Sequence, residues 1–146
     1  MAGLETVTLG SPSSFGNTVF STTTLTASAS GGKLPGMEKY TSALFHATVG
    51  TVTGTSPTLD IYIQTLLPDN TVWQDIAHFT QITSSSAARV LHFVVGASSE
   101  AAVQTEALAA ATIKAIGLGC FIRVRCVVGG TNPSFGDVLV QANFFE

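Results

Sequence analysis

The sequence predicts an all-β protein, an antiparallel β-sandwich of the jelly-roll-like type. Apolar and polar residues alternate with a period of two along much of the chain, as half-buried strands require. Turn-forming residues interrupt this alternation about every dozen residues, a spacing typical of sandwiches. The chain has 146 residues, and a domain of about that size buries roughly 70% of the surface that its unfolded chain exposes. We therefore expect a single hydrophobic core.

The amino-terminal part is predicted to be an arm followed by the first strand. Residues 5–9 are a strand candidate, but residues 1–17 as a whole are expected to form the arm, whereas residues 18–146 form the single sandwich domain. The Thr-rich run at residues 18–27 predicts a strand that points Val19 and Leu25 into the core. The glycines and the proline that follow this strand favour a surface loop.

One phrase occurs twice in the chain, as GTSPTLDIYIQ at residues 54–64 and as GTNPSFGDVLVQ at residues 130–141. Each copy opens with glycine and proline, which are turn residues, and each follows a strand pattern. The sequence therefore predicts two β-hairpins, over residues 42–66 and 122–144, that turn at these phrases. The additional Gly136 of the second copy predicts a β-bulge, because glycine accepts the backbone angles of a bulge. Either an internal duplication or convergence on the same hairpin explains the repeat.

The remaining patterns predict further strands and one irregular segment. The strands are expected at residues 71–76, 78–83 and 88–95. A Pro-Asp-Asn turn precedes Trp73, which is expected to anchor the core. The alanine-rich stretch at residues 96–116 breaks the alternation and favours a short helix or an ordered loop near residues 98–113.

The two cysteines, Cys120 and Cys126, are predicted to be free and buried. They lie six positions apart on one predicted strand, which places them about 20 Å from each other. A disulfide requires Cα atoms within about 7 Å, so the two thiols are not expected to bridge. Neither cysteine has the CxxC spacing of a zinc site, and no structural metal is expected.

The composition excludes several classes of partner. Only 10% of the residues are charged, and the six Lys and Arg residues accompany a formal net charge of -3. The chain therefore lacks the basic stripe that meets a nucleic-acid backbone. Its first residues lack the charged and apolar regions of a secretory signal, and no apolar run reaches the roughly 18 residues of a membrane span. We expect a protein made and kept in a cytoplasm, with neither nucleic acid nor membrane as a partner.

The sequence predicts no catalytic residue, cofactor site or metal site, and hence a protein that is not an enzyme. It contains no GxSxG, phosphate-binding loop or HExxH motif. The GLGCF segment at residues 117–121 lacks the third glycine of a dinucleotide-binding fingerprint. It also leads into a strand where that fingerprint requires a helix.

The isolated titratable residues predict no shared site. His46, His78 and His92 are too far apart in the sequence to indicate a common metal, and we expect them on strand surfaces or between strands. Asp60 and Asp137 occupy matching places in the two copies of the phrase, an arrangement that acid–base chemistry or calcium binding could use. We expect instead that each carboxylate hydrogen-bonds near its own turn.

Six residues form the candidate interface: Phe121, Arg123, Arg125, Val90, His92 and Val94. The two arginines fall on the strand face opposite the aliphatic residues, and arginine and aromatic side chains are enriched in protein contacts. An ordinary solvated strand face is the alternative interpretation. The two valines fall on the nominally outer face of their strand, where apolar residues indicate a covering layer or subunit.

Two segments carry a resemblance to a known family. They are GTSPTLDIYIQTLLPDNTVWQDIAHFTQIT at residues 54–83 and FIRVRCVVGGTNPSFGDVLVQ at residues 121–141. Both resemble the β-sandwich head decoration, or cement, proteins of tailed bacteriophages. The shared elements are the Gly-Thr-x-Pro strand start, the turn that leads to a tryptophan, the phrase DIAHFTQIT, the strand with alternating arginines, and the closing Gly-Gly-Thr-x-Pro-Ser-Phe strand. The alanine-rich stretch at residues 96–116 is longer than the corresponding link in that family.

The resemblance implies a jelly-roll-like sandwich that binds the outside of a phage head as a homodimer or homotrimer. There it would clamp neighbouring subunits of the major capsid protein without catalysing a reaction. It implies a virion protein of the capsid exterior, synthesised in the host cytoplasm. The alternative is a tail or fibre module that binds host-surface glycan, for which Tyr62 beside Asp60 and Gln64 is the candidate site.

Overall fold

The computed structural model describes residues 14–83, 86–94, 109–114 and 117–146. Within these ranges the chain forms eight β-strands: β1 (Ser14–Leu25), β2 (Ala29–Ser30), β3 (Ser42–Val49), β4 (Val52–Leu66), β5 (Trp73–His78), β6 (Ser86–Val94), β7 (Thr112–Ile113) and β8 (Ile122–Phe145). A short 3-10 helix, Met37–Lys39, precedes β3. The described residues contain no α-helix, and the predicted all-β class is confirmed.

The long strand β8 is the centre of the sheet. Its second part pairs with β3 and β1, and its first part pairs with β4 and β2. The strand β6 extends the sheet beyond β3, while β5 and then β7 extend it beyond β4. All of these pairings are antiparallel. We call β6, β3, the second part of β8 and β1 half-sheet A, and β2, the first part of β8, β4, β5 and β7 half-sheet B.

The two half-sheets share one hydrophobic core. Along β3 the side chains alternate between half-buried and buried, so that Ala43, Phe45, Ala47 and Val49 all point inward. The inward residues of half-sheet B join the same cluster, with Leu59, Ile61, Ile63, Ile122 and Val124 at most 1% exposed. The predicted inward positions Val19 and Leu25 are also buried. This arrangement is that of a β-sandwich, as the alternation predicts.

The predicted hairpins are wrong. The strand β3 pairs with β6 and β8, and β4 pairs with β5 and β8, so the segment at residues 42–66 does not fold back on itself. Both strands instead lie along β8, with Thr48 opposite Leu139 and Val52 opposite Phe135. The second predicted hairpin is likewise a single strand of 24 residues. The glycine and proline residues predicted a reversal of the chain. In the structure, β4 and β8 each continue through these residues without reversing direction.

The two copies of the repeated phrase lie against each other where β4 meets β8. Thr53 pairs with Ser134 and Thr55 pairs with Thr131, and the register shifts on both sides of Thr55. The first four residues of one copy, 54–57, therefore face the matching residues of the other. We call this contact the repeat crossing.

Corresponding residues of the repeat crossing have the same backbone conformation. Gly54 has a φ of 115° and Gly130 a φ of 107°, while Ser56 and Asn132 have φ of 49° and 50°. A Cβ atom on Gly54 would lie 2.7 Å from the carbonyl oxygen of Asn132, and one on Gly130 would lie 2.6 Å from that of Ser56. The repeat thus supplies two glycines that allow two backbones to approach closely.

The bulge predicted at Gly136 is also absent. The register between β1 and β8 continues without a shift from Phe20 opposite Val140 to Leu25 opposite Phe135. Gly136 lies opposite the break between β3 and β4, where its N–H donates to the carbonyl of Thr51 over 2.7 Å. Gly136 is therefore hydrogen-bonded to the residues between β3 and β4 and is not an unpaired addition to β8.

The ends of several predicted segments differ in the structure. The first strand begins at Ser14, so residues 14–17 of the predicted arm belong to β1, and residues 1–13 lie outside the described residues. Most of the segment near residues 98–113 that was predicted as a helix or an ordered loop, namely residues 98–108, also lies outside them. Near its end, β7 pairs with β5.

The two cysteines differ in burial. Both are free thiols, as predicted, and Cys126 is buried in the core. Cys120 is exposed, contrary to the prediction, because β8 begins only at Ile122 and Cys120 precedes it. Burial raises the pKa of the Cys126 thiol to about 12, so this group stays protonated and unreactive at neutral pH.

This difference predicts selective labelling of the native protein. At pH 8 we expect one thiol to react rapidly with a disulfide reagent such as dithionitrobenzoate, and the second to react only after unfolding. The variant Cys120→Ser should lose the rapid reaction and keep the slow one. Rapid reaction of both thiols in the folded protein would show that Cys126 is accessible.

Candidate interface on half-sheet B

The outer face of half-sheet B presents an ordered group of polar and aromatic side chains. On β4 the apolar residues point inward, so the residues between them point outward. The strand pairing brings Tyr62 opposite both His78 and Arg125, and Gln64 opposite both Asp75 and Arg123. Side chains from three strands therefore meet on one face.

The guanidinium of Arg123 is held in place from two sides. Its Nε donates to Oε1 of Gln64 over 2.8 Å, and Nε2 of the same amide donates to Oδ1 of Asp75 over 2.8 Å. On the other side the guanidinium carbon lies 4.3 Å from the ring centroid of Trp73. Gln64 and Asp75 are only 8% and 9% exposed, so this arrangement is shielded from water.

Trp73 therefore occupies a different place from the one predicted. It was expected in the core, but it is half-buried on the outer face, beneath the Arg123 guanidinium. Positioned over an aromatic ring, a guanidinium is attracted by the π electrons of the ring. The tryptophan thus serves the outer surface of the sheet.

The contact between Arg123 and Trp73 predicts a spectroscopic change. Trp73 is the single tryptophan of the chain, and removal of the guanidinium that covers it should admit water to the indole. We expect the variant Arg123→Ala to shift the fluorescence emission to longer wavelength. Arg125→Ala is the matched control, because the Arg125 side chain contacts Ser30 instead. An unshifted emission in Arg123→Ala would mean that the two side chains do not pack together in solution.

A second group on the same face centres on His78. Its Nε2 lies 3.0 Å from Oδ1 of Asp60, and Oδ2 of that carboxylate accepts a hydrogen bond from Gln81 over 2.9 Å. The Tyr62 ring stacks on the imidazole with centroids 3.9 Å apart. Burial, followed by the nearby charges of Asp60 and Asp75, raises the pKa of Tyr62.

The His78 group is better suited to structure than to catalysis. A carboxylate–imidazole pair can orient a general base. Here, however, His78 is only 5% exposed and Tyr62 covers its ring, which leaves a substrate little approach to the imidazole. The expectation that Asp60 bonds near its own turn is wrong, because its partners come from β5 and from the residues that follow β5.

Asp137 does not form a pair with Asp60. The two carboxylates lie on different half-sheets, since Asp60 faces Val127 in the first part of β8 whereas Asp137 lies in the second part. Asp137 is exposed and borders a shallow open groove with Thr48 and Leu139. The matching places in the repeated phrase therefore do not bring these residues together.

The residues proposed as a glycan site are already engaged with other side chains. Both carboxylate oxygens of Asp60 and both amide ends of Gln64 take part in the hydrogen bonds given above. Tyr62 is half-buried and stacked on His78. Sugar hydroxyls would have to displace these bonds in order to bind.

Three cationic side chains lie along β8 and the loop beside it. Lys33 places its Nζ 4.6 Å from the ring centroid of Phe121, and Nη1 of Arg125 lies 3.3 Å from Oγ of Ser30. With Arg123 these residues form a group that we call the cationic patch: Lys33, Phe121, Arg123 and Arg125. Desolvation, and then the neighbouring positive charge of Arg125, lowers the pKa of Arg123.

The six predicted interface residues fall into two separate groups. Arg123 and Arg125 lie on half-sheet B and Phe121 directly precedes its strand β8, whereas Val90, His92 and Val94 belong to β6 on half-sheet A. The register of β6 places these three opposite the half-buried His46, Leu44 and Ser42 of β3. The structure describes the backbone of β6 but not its side chains. Sequence reasoning missed Lys33, which lies in a loop, and the partners that β4 and β5 supply.

The described residues also limit the kinds of site present. In them, no three His, Cys, Asp or Glu side chains are placed to hold a metal ion. None of the helices in this part of the chain is long and apolar enough to cross a membrane. Comparisons with protein-family models, with curated proteins and with solved structures found no match.

Proposed function

We propose that this chain is a structural virion protein that decorates the head of a tailed bacteriophage. In this role it binds the outer capsid surface and stabilises contacts between subunits of the major capsid protein. Its partners are the major capsid protein and sister copies of the chain, in a homodimer or homotrimer. The sequence resemblance to head decoration proteins supports this proposal, and the outer face of half-sheet B adds physical support.

The observation that carries the proposal is the fixed position of Arg123 between Gln64 and Trp73. Arginine and tryptophan are the residues that most often dominate binding energy in protein interfaces. A side chain that is already ordered loses less conformational entropy on binding. The rigid sheet therefore presents a prepared contact residue, as suits a protein whose task is to hold two neighbours together.

The composition supports the same role. With 10% charged residues, we expect a surface covered mainly by small polar side chains, which cost less to desolvate in a broad contact than charged side chains do. Hydrogen bonds join Gln64 to Asp75 and Asp60 to His78, each between β4 and β5, and so add rigidity rather than an open reaction site. A clamp between subunits requires this rigidity, because it must resist the force that separates them.

Particles that contain the protein test the proposal. Purified heads should carry many copies, in a fixed ratio to the major capsid protein as determined by quantitative mass spectrometry. Heads that lack the protein should lose their DNA at a lower temperature, and the added protein should restore the higher one. A few copies per particle, or a location in the tail, would refute decoration of the head.

A further inference from the structure

We propose that the cationic patch binds an acidic segment of a partner protein, with Asp or Glu carboxylates placed on Arg123 and Arg125. This inference rests on the proposed function, because it specifies the chemistry of the partner that the outer face meets. It is carried by the geometry of the two guanidinium groups, by the position of Lys33, and by the state of the nearby carboxylates.

The guanidinium of Arg123 is held in place but keeps unused hydrogen-bond donors. Its Nε is occupied by Gln64, and its flat face is covered by Trp73. Among the described residues, its two terminal nitrogens have no hydrogen-bond partner and its charge has no salt bridge. The side chain is thus oriented while part of its donor capacity remains unused. The planar guanidinium matches the two oxygens of a carboxylate.

Arg125 adds a second positive charge beside Arg123. Arg123 and Arg125 point to the same side of β8, where residues two apart lie about 7 Å from each other. Their mutual repulsion contributes to the lowered pKa of Arg123. An anion bound between two such cations relieves this repulsion and gains attraction to both. The pair therefore favours a negatively charged ligand over a neutral one.

The positive charges of the chain are concentrated in the cationic patch. Three of the six Lys and Arg residues of the chain belong to the patch, although the chain carries a net charge of -3. The carboxylates on the same face have hydrogen-bond partners outside the patch: Asp60 bonds to His78 and Gln81, and Asp75 bonds to Gln64. The positive charges of the patch remain available to an outside partner.

The small number of cations in the patch favours an acidic protein segment over nucleic acid as the partner. Nucleic acid presents one phosphate charge about every 1.7 Å, and three cations supply little of the charge needed to follow it. Of the described carboxylates, a second copy of this face would offer Asp60 and Asp75, which are already hydrogen-bonded. Carboxylates on a protein segment match the geometry of the guanidinium groups, and few of them are needed to pair with three cations.

Binding of a hexaglutamate peptide at low ionic strength tests the inference. Titration calorimetry of the full chain should show binding that weakens with added salt, and that weakens about tenfold for each arginine changed in Arg123→Gln and Arg125→Gln. The matched control is Lys39→Gln, because Lys39 also lies over an aromatic ring, Tyr40, but outside the patch. If an arginine variant fails to fold, Lys33→Gln in the adjacent loop provides the test.

Several outcomes would overturn the inference. Equal affinity of the arginine variants and the parent protein for hexaglutamate would show that the patch is not the site. Equal or tighter binding of a thymidine hexanucleotide would assign the patch to nucleic acid. Self-association that the arginine variants abolish would assign it to a second copy.

The copy number on particles tests the proposed function separately. A chain that binds hexaglutamate through the patch but is scarce on heads would refute decoration and leave the patch standing. An abundant head protein without this affinity would refute the patch alone.

Discussion

Replacement of Gly54 or Gly130 with alanine is expected to lower the free energy of unfolding by about 3 kcal/mol. Both glycines have φ above 100°, a conformation that is strained for any residue with a Cβ atom. The added Cβ would also lie within 2.9 Å of backbone atoms in the facing copy of the phrase. Because backbone cannot turn aside as a side chain does, the crossing strands must move apart. Urea unfolding followed by circular dichroism measures the loss.

The control for these variants is Gly32→Ala. A Cβ atom on Gly32 would meet no heavy atom within 4 Å, and this glycine does not have a positive φ. Its replacement should change the stability by no more than about 0.5 kcal/mol. The double variant of Gly54 and Gly130 should cost less than the sum of the single variants, since either Cβ already separates the same two strands. Single variants as stable as Gly32→Ala would show that the repeat crossing is looser than described.

Truncation of Phe135 to alanine is expected to cost about 4 kcal/mol. Its side chain is fully buried, and the residue lies opposite both Leu25 of β1 and Val52 of β4. It therefore fills the core where the two half-sheets join. Strands on either side hold the cavity open, because none of them can move inward without breaking a ladder of hydrogen bonds. Thermal and urea unfolding both report the loss.

Phe145 on the same strand gives the matched control. It is 37% exposed, and Phe145→Ala should change the stability by about 0.5 kcal/mol or less. If Phe135→Ala were no more harmful than Phe145→Ala, the core would not extend through the junction of the half-sheets. A large effect of both variants would instead indicate that Phe145 is covered in solution, for instance by another copy.

For β3 and β8 the sequence was sufficient to predict which side chains face the core, whereas Trp73 was wrongly expected there. The alternation in β3 and β8 places Phe45, Val124 and Val140 inside, because successive residues of a strand point to opposite faces. It could not predict which strands pair. A strand with alternating side chains can pair with any other strand that has the same alternation. Because β3 and β4 are adjacent in the sequence, they were expected to form a hairpin. Their actual common partner, β8, lies far away in the sequence.

The candidate interface was predictable in part for the same reason. Arg123 and Arg125 could be assigned to an outer face from their spacing alone. The contacts of Arg123 with Gln64 and Trp73 depend on the pairing of β4 with β5 and β8. No local signal indicates those contacts, and the same holds for the approach of Asp60 to His78. The sequence thus predicted the position of the face but not what fixes its side chains.

An electron cryo-microscopy map of intact particles that contain this chain tests the account most directly. We expect density for the sandwich on the outside of the head, at seams between major capsid subunits, with Arg123 and Arg125 turned toward acidic side chains of the capsid. A map that places the chain in the tail, or on the head with these arginines facing solvent, would contradict it.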